Sequence, residues 1–175
     1  MTPSMPVHSF SRDEILSNID ALADILANCV NGGASVSFMA PFSHQDACAF
    51  WRGVAESVER QERTVLVCRD PHGELLGTVQ LLTDQPENQP HRADVAKLLV
   101  HEKARRRGVA MALMEALEAT AREQGKTVLV LDTASGSGAE SFYVRGGWIR
   151  VGEIPDYALM PDGEMTATTV FYKFL

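Results

Sequence analysis

The chain has 175 residues, a length that fits one domain with a sizeable buried core. Hydrophobic residues make up 45% of it and charged residues 22%, as in globular proteins, and no run approaches the roughly 20 apolar residues of a membrane span. The net charge of −7 argues against nucleic acid as a partner, because phosphate binding needs a basic face.

Two amphipathic helices are predicted near the N-terminal end. Ser11 and Glu14 form a capping-box pattern, and apolar residues follow at helical spacing until Asn-Gly-Gly at 31–33, where the helix should end. Ser43 is a candidate cap for the second helix. The connection 32–42 is either the wall of a pocket or an ordinary linker, and the sequence favours the linker.

A hairpin and a third strand come next. Residues 64–69 and 75–82 resemble two strands, and the Asp-Pro-His-Gly stretch between them is typical of a tight turn. Residues 83–91 are polar, contain two prolines and are predicted to form a loop. Residues 94–100 are apolar enough for a buried strand that joins the hairpin.

A basic, glycine-containing turn follows this strand. Residues 105–110 read Arg-Arg-Arg-Gly-Val-Ala, and a predicted helix comes directly after them. The first N–H groups of that helix have no partner inside it and carry the positive end of its dipole. Gly108 would let a ligand approach the backbone closely, so the turn predicts a phosphate or pyrophosphate cradle. The alternative is a solvated basic turn that only caps the helix.

The last third of the chain is predicted to hold a strand at 127–133, a helix around Tyr143, and strands at 149–154 and 167–175. Residues 155–163 are rich in turn-forming residues, and we expect a loop there in which Tyr157 closes over a bound substrate. The order of elements predicts a mixed α/β fold in a single domain, 1–175.

The basic turn resembles the acetyl-CoA-binding motif of the GNAT N-acetyltransferase superfamily, R/Q-x-x-G-x-G/A. This resemblance implies a mixed, mostly antiparallel central sheet with a splayed parallel strand pair and helices on both faces. It implies acetyl-CoA as co-substrate, with its pantetheine arm in the gap between strands 94–100 and 128–132. The residues expected to bind it are Leu98, Leu99, Val100, Arg105, Arg106, Arg107, Gly108, Val109, Ala110, Ala139, Phe142 and Tyr143.

The helix around Tyr143 matches a second motif of the superfamily, A-x-x-x-Y-x-x-x-G-F, at Ala139, Tyr143 and Gly147, with Trp148 replacing the phenylalanine. Gly136 departs from the asparagine of many members. The resemblance implies that Tyr143 lies near the thioester sulfur, where its hydroxyl would donate to the departing thiolate. The alternative for Tyr143 is a core aromatic residue on an amphipathic helix.

Further segments, at 31–39, 92–100, 131–133, 150–158 and 161–163, resemble the tabtoxin resistance protein subgroup of this superfamily. Such members detoxify small molecules by acetylation. The resemblance therefore implies an N-acetyltransferase that acts on a small amine or amino-acid-like molecule. It also implies that the enzyme has a role in resistance to a toxin or an antibiotic. A protein amine acetyltransferase and a non-catalytic acyl-CoA-binding module remain alternatives.

Two carboxylates are candidates for the base that deprotonates the acceptor, because an ammonium has no lone pair. Asp94 opens the first strand of the splayed pair and Asp132 closes the second, at the sheet edge where ligands gather. Each could instead be a turn or cap residue. Glu140 and Glu153 are weaker candidates.

The remaining features concern the cell compartment and metals. Cys29, Cys48 and Cys68 lack C-x-x-C spacing, and the first ten residues show no signal-peptide pattern, so we expect a reducing, cytoplasmic location. Five scattered histidines show no metal-ligand spacing, and no metal is expected. The oligomeric state is left as monomer or homodimer.

Overall fold

In the computed structural model, which describes residues 5–175, seven strands form one open mixed sheet. Its order is β1-β2-β3-β4-β5-β7-β6, and β4 and β5 are its only parallel pair in the described part of the chain. The predicted fold class, a mostly antiparallel sheet with one splayed parallel pair, is confirmed. The strands are β1 Val7–Phe10, β2 Arg63–Arg69, β3 Leu75–Leu82, β4 Arg92–Val100, β5 Val128–Ala134, β6 Ile149–Leu159 and β7 Met165–Phe174.

Helices cover both faces of the sheet, as predicted. The helices are α1 Arg12–Ser17, α2 Ile19–Asn31, α3 His44–Glu59, α4 Val109–Glu123 and α5 Ala139–Arg145, with a 3₁₀ turn at Glu102–Ala104. One apolar cluster lies between α1–α3 and the sheet, and a second lies beneath α4 on the other face. Within the first, the Trp51 indole donates to the Leu22 carbonyl at 3.0 Å and ties α3 to α2. None of the described helices has the length and apolar content to cross a bilayer.

The parallel pairing of β4 and β5 ends early, and a gap opens beyond it. The two strands are in register only from Arg92↔Val128 to Asp94↔Val130. Just past that point β4 carries an extra residue against β3, because Ala96 pairs with Gln80 whereas Leu99 pairs with Thr78. A β-bulge of this kind bends its strand, and Lys97 within it has φ 54°. The bulge therefore turns β4 away from β5.

Two N-terminal features differ from the sequence prediction. The single helix expected after Ser11 is broken into α1 and α2 at Asn18, whose side-chain amide donates to the Glu14 carbonyl at 2.8 Å. The capping box itself is present, with Ser11 Oγ accepting from Glu14 N–H. Strand β1 was not predicted, because four residues carry little pattern and only their pairing with β2 makes them a strand.

The prediction of a loop at 155–163 is wrong for residues 155–159, and only residues 160–163 form a turn. Strand β6 continues through Tyr157 to Leu159, and the register with β7 shifts between Ile154 and Ala158. Asp156 has φ 49°, so the proline–aspartate pair that resembles a loop is accommodated in an irregular stretch of edge strand. The tight turn follows later, closed by the bond from Met160 N–H to Glu164 O at 2.7 Å.

Candidate active site

Two adjoining cavities lie where the sheet splits: one of about 180 Å³ in the gap between β4 and β5, and one of about 320 Å³ between residues 35–39, the end of β5, β6 and β7. The first reaches residues 95–98 of β4, the end of β5 and Tyr143, and the second extends along β6 at 157–159. Both are lined by Ser35, Ser37, Asp132 and Thr133, so they form one continuous space. We call this space the central cleft.

The connection between α2 and α3 forms one wall of the central cleft, so the linker interpretation is wrong. Ser35, Ser37 and Met39 all line the cleft. The segment is held at its far end by two bonds of 2.9 Å between the Asn31 side-chain amide and the backbone of Phe42. The sequence held no local signal of this role, since it depends on where the sheet splits.

The basic turn has the geometry of an anion cradle. Gly108 has φ 82° and caps α4, and the first hydrogen bond into that helix runs from Ala112 N–H to Gly108 O at 3.0 Å. The N–H groups of Val109, Ala110 and Met111 therefore have no partner within α4. A Cβ at Gly108 would meet no protein atom within 4 Å, so the turn has room for a ligand. These features fit the pyrophosphate of acetyl-CoA.

The three arginines of the turn differ in their surroundings. In the described residues none of them lies within 4.0 Å of a carboxylate oxygen. Arg105 extends back to the C-terminal end of α2, beside Gly32, where the helix dipole favours a cation. Arg106, with φ 60°, lines a largely apolar cavity together with Phe142. This cavity also contacts Val100, at the end of the strand whose Leu98 lines the central cleft.

The end of β4 presents backbone groups to the gap. His101 N–H donates to Leu76 O on β3 at 3.0 Å, and Leu99 is paired with Thr78 on the same side. Because amide groups alternate along a strand, those of Leu98 and Val100 point away from β3. The Leu99 side chain is buried in the core, whereas Leu98 lines the central cleft. This alternation suits an extended ligand arm laid along β4.

Tyr143 combines a buried ring with a position on the cleft wall. The ring is 7% exposed and packs against Trp148 and Phe171 at centroid distances of 5.9 and 5.8 Å. Burial, together with the charge of Asp132, raises the pKa of Tyr143 to about 12. The described residues offer its hydroxyl no hydrogen-bond partner, although it borders the central cleft. The phenol is therefore protonated at neutral pH and free to donate to a ligand.

The two candidate aspartates occupy different environments. Asp132 is exposed, lines both parts of the central cleft, and accepts a hydrogen bond from Thr168 Oγ1 at 2.7 Å. Asp94 does not line the cleft, because it lies in the last parallel pair before the strands separate. Its carboxylate is bound by Arg92 and by Gln85 Nε2. The structure thus brings Asp132, but not Asp94, together with Tyr143.

The weaker candidates lie together outside the cleft. Both Glu140 and Glu153 are within 4.0 Å of the Arg150 guanidinium. Glu140 also accepts from Gly136 N–H at 2.7 Å, and this bond lowers the pKa of Glu140. Glu140 therefore holds the turn before α5, and Glu153 is paired with Arg150 on β6.

Lys97 is a cleft residue that the sequence analysis missed. It lies in the β4 bulge and its Nζ donates to Ser37 Oγ at 3.1 Å. Burial lowers the pKa of Lys97, while the charge of Asp132 acts in the opposite direction. The available signal was a single lysine inside the otherwise apolar stretch of residues 95–100.

The anion cradle at the start of α4 lies next to the gap between β4 and β5. This combination is typical of acyltransferases that use an acyl-CoA. The chain belongs to the acetyltransferase (GNAT) family, whose model matches residues 30–148. Enzymes of this family transfer an acetyl group, and acetyl-CoA is the co-substrate.

Solved structures share the whole fold at low sequence identity. A ribosomal-protein-alanine N-acetyltransferase from Brucella melitensis is 19% identical, with a TM-score of 0.80 over 98% of this chain and 100% of that one. A Salmonella typhimurium protein solved with its cofactor acetyl-CoA is 17% identical, with a TM-score of 0.79 over 98% and 94%. A phosphinothricin acetyltransferase from Sinorhizobium meliloti, in complex with acetyl-CoA, is 13% identical, with a TM-score of 0.78 over 98% and 89%.

Proposed function

We propose that this enzyme acetylates the amine of a small molecule, an amine or an amino-acid-like compound. The observation that carries this proposal is the size of the central cleft, walled by residues 35–39 on one side and by β6 on another. Its larger part, about 320 Å³, falls at the lower end of the ~300–1,000 Å³ of small-molecule sites. A protein acceptor would call for a longer open groove.

The residues around the gap divide the binding of acetyl-CoA among them. Acetyl-CoA supplies an acetyl group activated as a thioester. The N–H groups at the start of α4, with Arg106 and Arg107 nearby, would hold the pyrophosphate. The backbone amides of Leu98 and Val100, which face the gap, would bind the pantetheine arm. Ala139 and Phe142, on α5, would pack beside that arm.

Transfer itself needs an uncharged amine and a proton for the sulfur. Asp132 would hold the acceptor ammonium in the cleft, and the amine would lose its proton to water or to that carboxylate. The amine nitrogen then forms its bond to the acetyl carbon as the carbon–sulfur bond breaks, and the nitrogen releases its second proton to solvent to give the neutral amide. Tyr143 would give its hydroxyl proton to the sulfur and regain one from solvent, a role that its protonated state supports.

The biological role that we propose is detoxification of a toxin or antibiotic, as in tabtoxin resistance. It rests on the sequence segments that resemble that subgroup. The names of the fold neighbours include a protein acceptor and a small-molecule acceptor, so the fold alone does not choose between them. A cytoplasmic location is supported by Cys29, Cys48 and Cys68, which are buried and unpaired.

Between monomer and homodimer, we favour the homodimer. Strand β6 is an edge strand of 11 residues, and it leaves large apolar side chains in solvent, with Val151 64% and Ile154 47% exposed. A long apolar edge strand is a template for pairing with another chain. The second copy of this chain is its simplest partner.

The test is a turnover screen in which thiol release from acetyl-CoA is followed with amines of three kinds. These are amino acids, simple amines, and peptides that carry a free N-terminus or lysine. We expect turnover with a small molecule and loss of that turnover in Tyr143→Phe. Turnover with the peptides alone would make a protein amine acetyltransferase the better conclusion.

A further inference from the structure

Two backbone positions in the left-handed region meet inside the central cleft. Five non-glycine residues in the described part of the chain have positive φ, and Ser37 at 81° and Lys97 at 54° are two of them. Their side chains share the 3.1 Å hydrogen bond from Nζ to Oγ. Each such conformation costs about 1–2 kcal/mol, and such strain concentrates at ligand sites. The backbone at Ser37 and at Lys97 is thus held in an unfavourable conformation, and the Lys97 side chain faces the central cleft.

Among the described residues, Lys97 forms no ion pair, and Asp132 acts on its charge only from across the cavity that both residues line. The side chain is half-buried, and no described carboxylate oxygen lies within 4.0 Å of its Nζ. A desolvated ammonium is unfavourable unless it is paired. Cation–π contacts nevertheless favour the ammonium at this position, because the ring centroids of Phe38 and Phe50 each lie 6.0 Å from Nζ. A half-buried cation that faces a ligand cleft and has no carboxylate within 4.0 Å suits an anionic group of a ligand.

We propose that Lys97 binds a carboxylate of the acceptor, so that the acceptor carries both an amine and an anionic group. The proposal rests on the small-molecule acetyltransferase function proposed above. Lys97 comes from β4 and Asp132 from β5, and both line the same cavity of about 180 Å³. A zwitterion would therefore direct its amine to Asp132 and its carboxylate to Lys97. The substrate class that fits is an amino acid or a close relative.

Binding can be measured without turnover if the enzyme is saturated with CoA in place of acetyl-CoA. The probes are the common α-amino acids and the carboxamide of each one, which differ by a single negative charge. We expect the best amino acid to bind about 10- to 100-fold more tightly than its amide, the scale of a charge-assisted bond in a partly buried site. Calorimetry on the CoA-bound protein reports both affinities.

Three variants separate charge from packing and from proton transfer. Lys97→Met should bring the ratio of acid to amide affinity close to one, with CoA affinity unchanged as evidence of an intact fold. Lys97→Arg keeps the charge but cannot accept a proton near neutral pH, and it should keep most of the preference. Lys126→Met is the matched control, because Lys126 donates to the Pro90 carbonyl on the surface and should behave like the parent.

The assignment is overturned if no amino acid binds more tightly than its amide, or if Lys97→Met retains the preference. It is equally overturned if Lys97→Met weakens both probes alike, or if Lys97→Arg loses the preference as fully as Lys97→Met. The proposed function is judged separately, by turnover of the same probes with acetyl-CoA. Binding that depends on Lys97, without acetylation of any amine, would refute the proposed function and keep the anion site.

Discussion

Tyr143 and Asp132 line the same cavity, and the negative charge of Asp132 adds to burial in holding the Tyr143 proton. The tyrosine comes from α5 and the aspartate from β5, with the turn at residues 135–138 between them. Their proximity gives the cleft a permanent donor beside a carboxylate. A thioester sulfur and an ammonium are the groups that these two side chains complement.

Tyr143→Phe removes one hydroxyl and little volume. We expect acetyl-CoA binding to be kept and turnover to fall by about 100-fold or more, the usual scale for a lost general acid. Steady-state turnover and CoA affinity should be measured on the same preparation. Turnover equal to that of the parent would leave Tyr143 as a packing residue.

The buried phenol also predicts a change in alkaline stability. Its pKa is about 12 in the folded protein against 10.0 ordinarily, so the folded state keeps a proton that the unfolded chain loses. The resulting stabilisation is complete below pH 10 and is lost as pH rises through about 12. In that window the free energy of unfolding should fall about 1.4 kcal/mol per pH unit more steeply in the parent than in Tyr143→Phe. Parallel curves in urea titrations would contradict a buried, protonated Tyr143.

Gly108→Asp should abolish the stabilisation by acetyl-CoA, which is about 2.7 kcal/mol at 100 times the dissociation constant. The substitution places a negative charge at the cradle. Gly108→Asn is the matched control, because it has the same shape and must adopt the same left-handed φ, at a cost of about 1–2 kcal/mol. Asparagine should lower the melting temperature but keep much of the shift with acetyl-CoA. Equal shifts in both variants would mean that the cradle binds no phosphate.

Comparing Asp132→Asn with Asp94→Asn should show which aspartate binds the acceptor and which one only forms a structural ion pair. Asp132→Asn should reduce turnover far more than acetyl-CoA binding, and the loss should ease at higher pH, where more acceptor is the free amine. Asp94→Asn should leave turnover within a few-fold of the parent, because its carboxylate is bound by Arg92 and Gln85 away from the cleft. pH–rate profiles of both variants provide the measurement. A pH-independent loss in Asp132→Asn would indicate positioning rather than ammonium binding.

Val151→Lys should convert the expected homodimer into a monomer. The residue is exposed on the edge strand β6, so the fold itself should change stability by no more than about 0.5 kcal/mol. Val144→Lys, at an exposed valine on α5, makes the same chemical change elsewhere and should leave the dimer intact. Light scattering gives the masses. A monomeric parent would mean that this edge does not pair two copies.

The sequence predicted the elements whose signals are local. The capping box at Ser11, the glycine of the cradle and the apolar strands were all readable, and with the family resemblance they gave the fold class. Lys97 could not be assigned, because the bulge that aims it is a mismatch between β4 and β3 and exists only in the pairing. For the same reason the sequence did not predict the full length of β6, because Asp156 lies in that strand although aspartate disfavours strands.

The short parallel pairing of β4 and β5 joins two groups of strands that come from separate parts of the chain. Strands β1–β4 come from residues before 101 and β5–β7 from residues after 127, and three registered pairs join the two groups within the sheet. Each half is therefore a nearly continuous segment with its own ladder. A molecule bound in the gap would contact both segments and stabilise their association. Amide exchange along both edges of the gap should then slow together when acetyl-CoA binds, as one cooperative response of the two groups of strands.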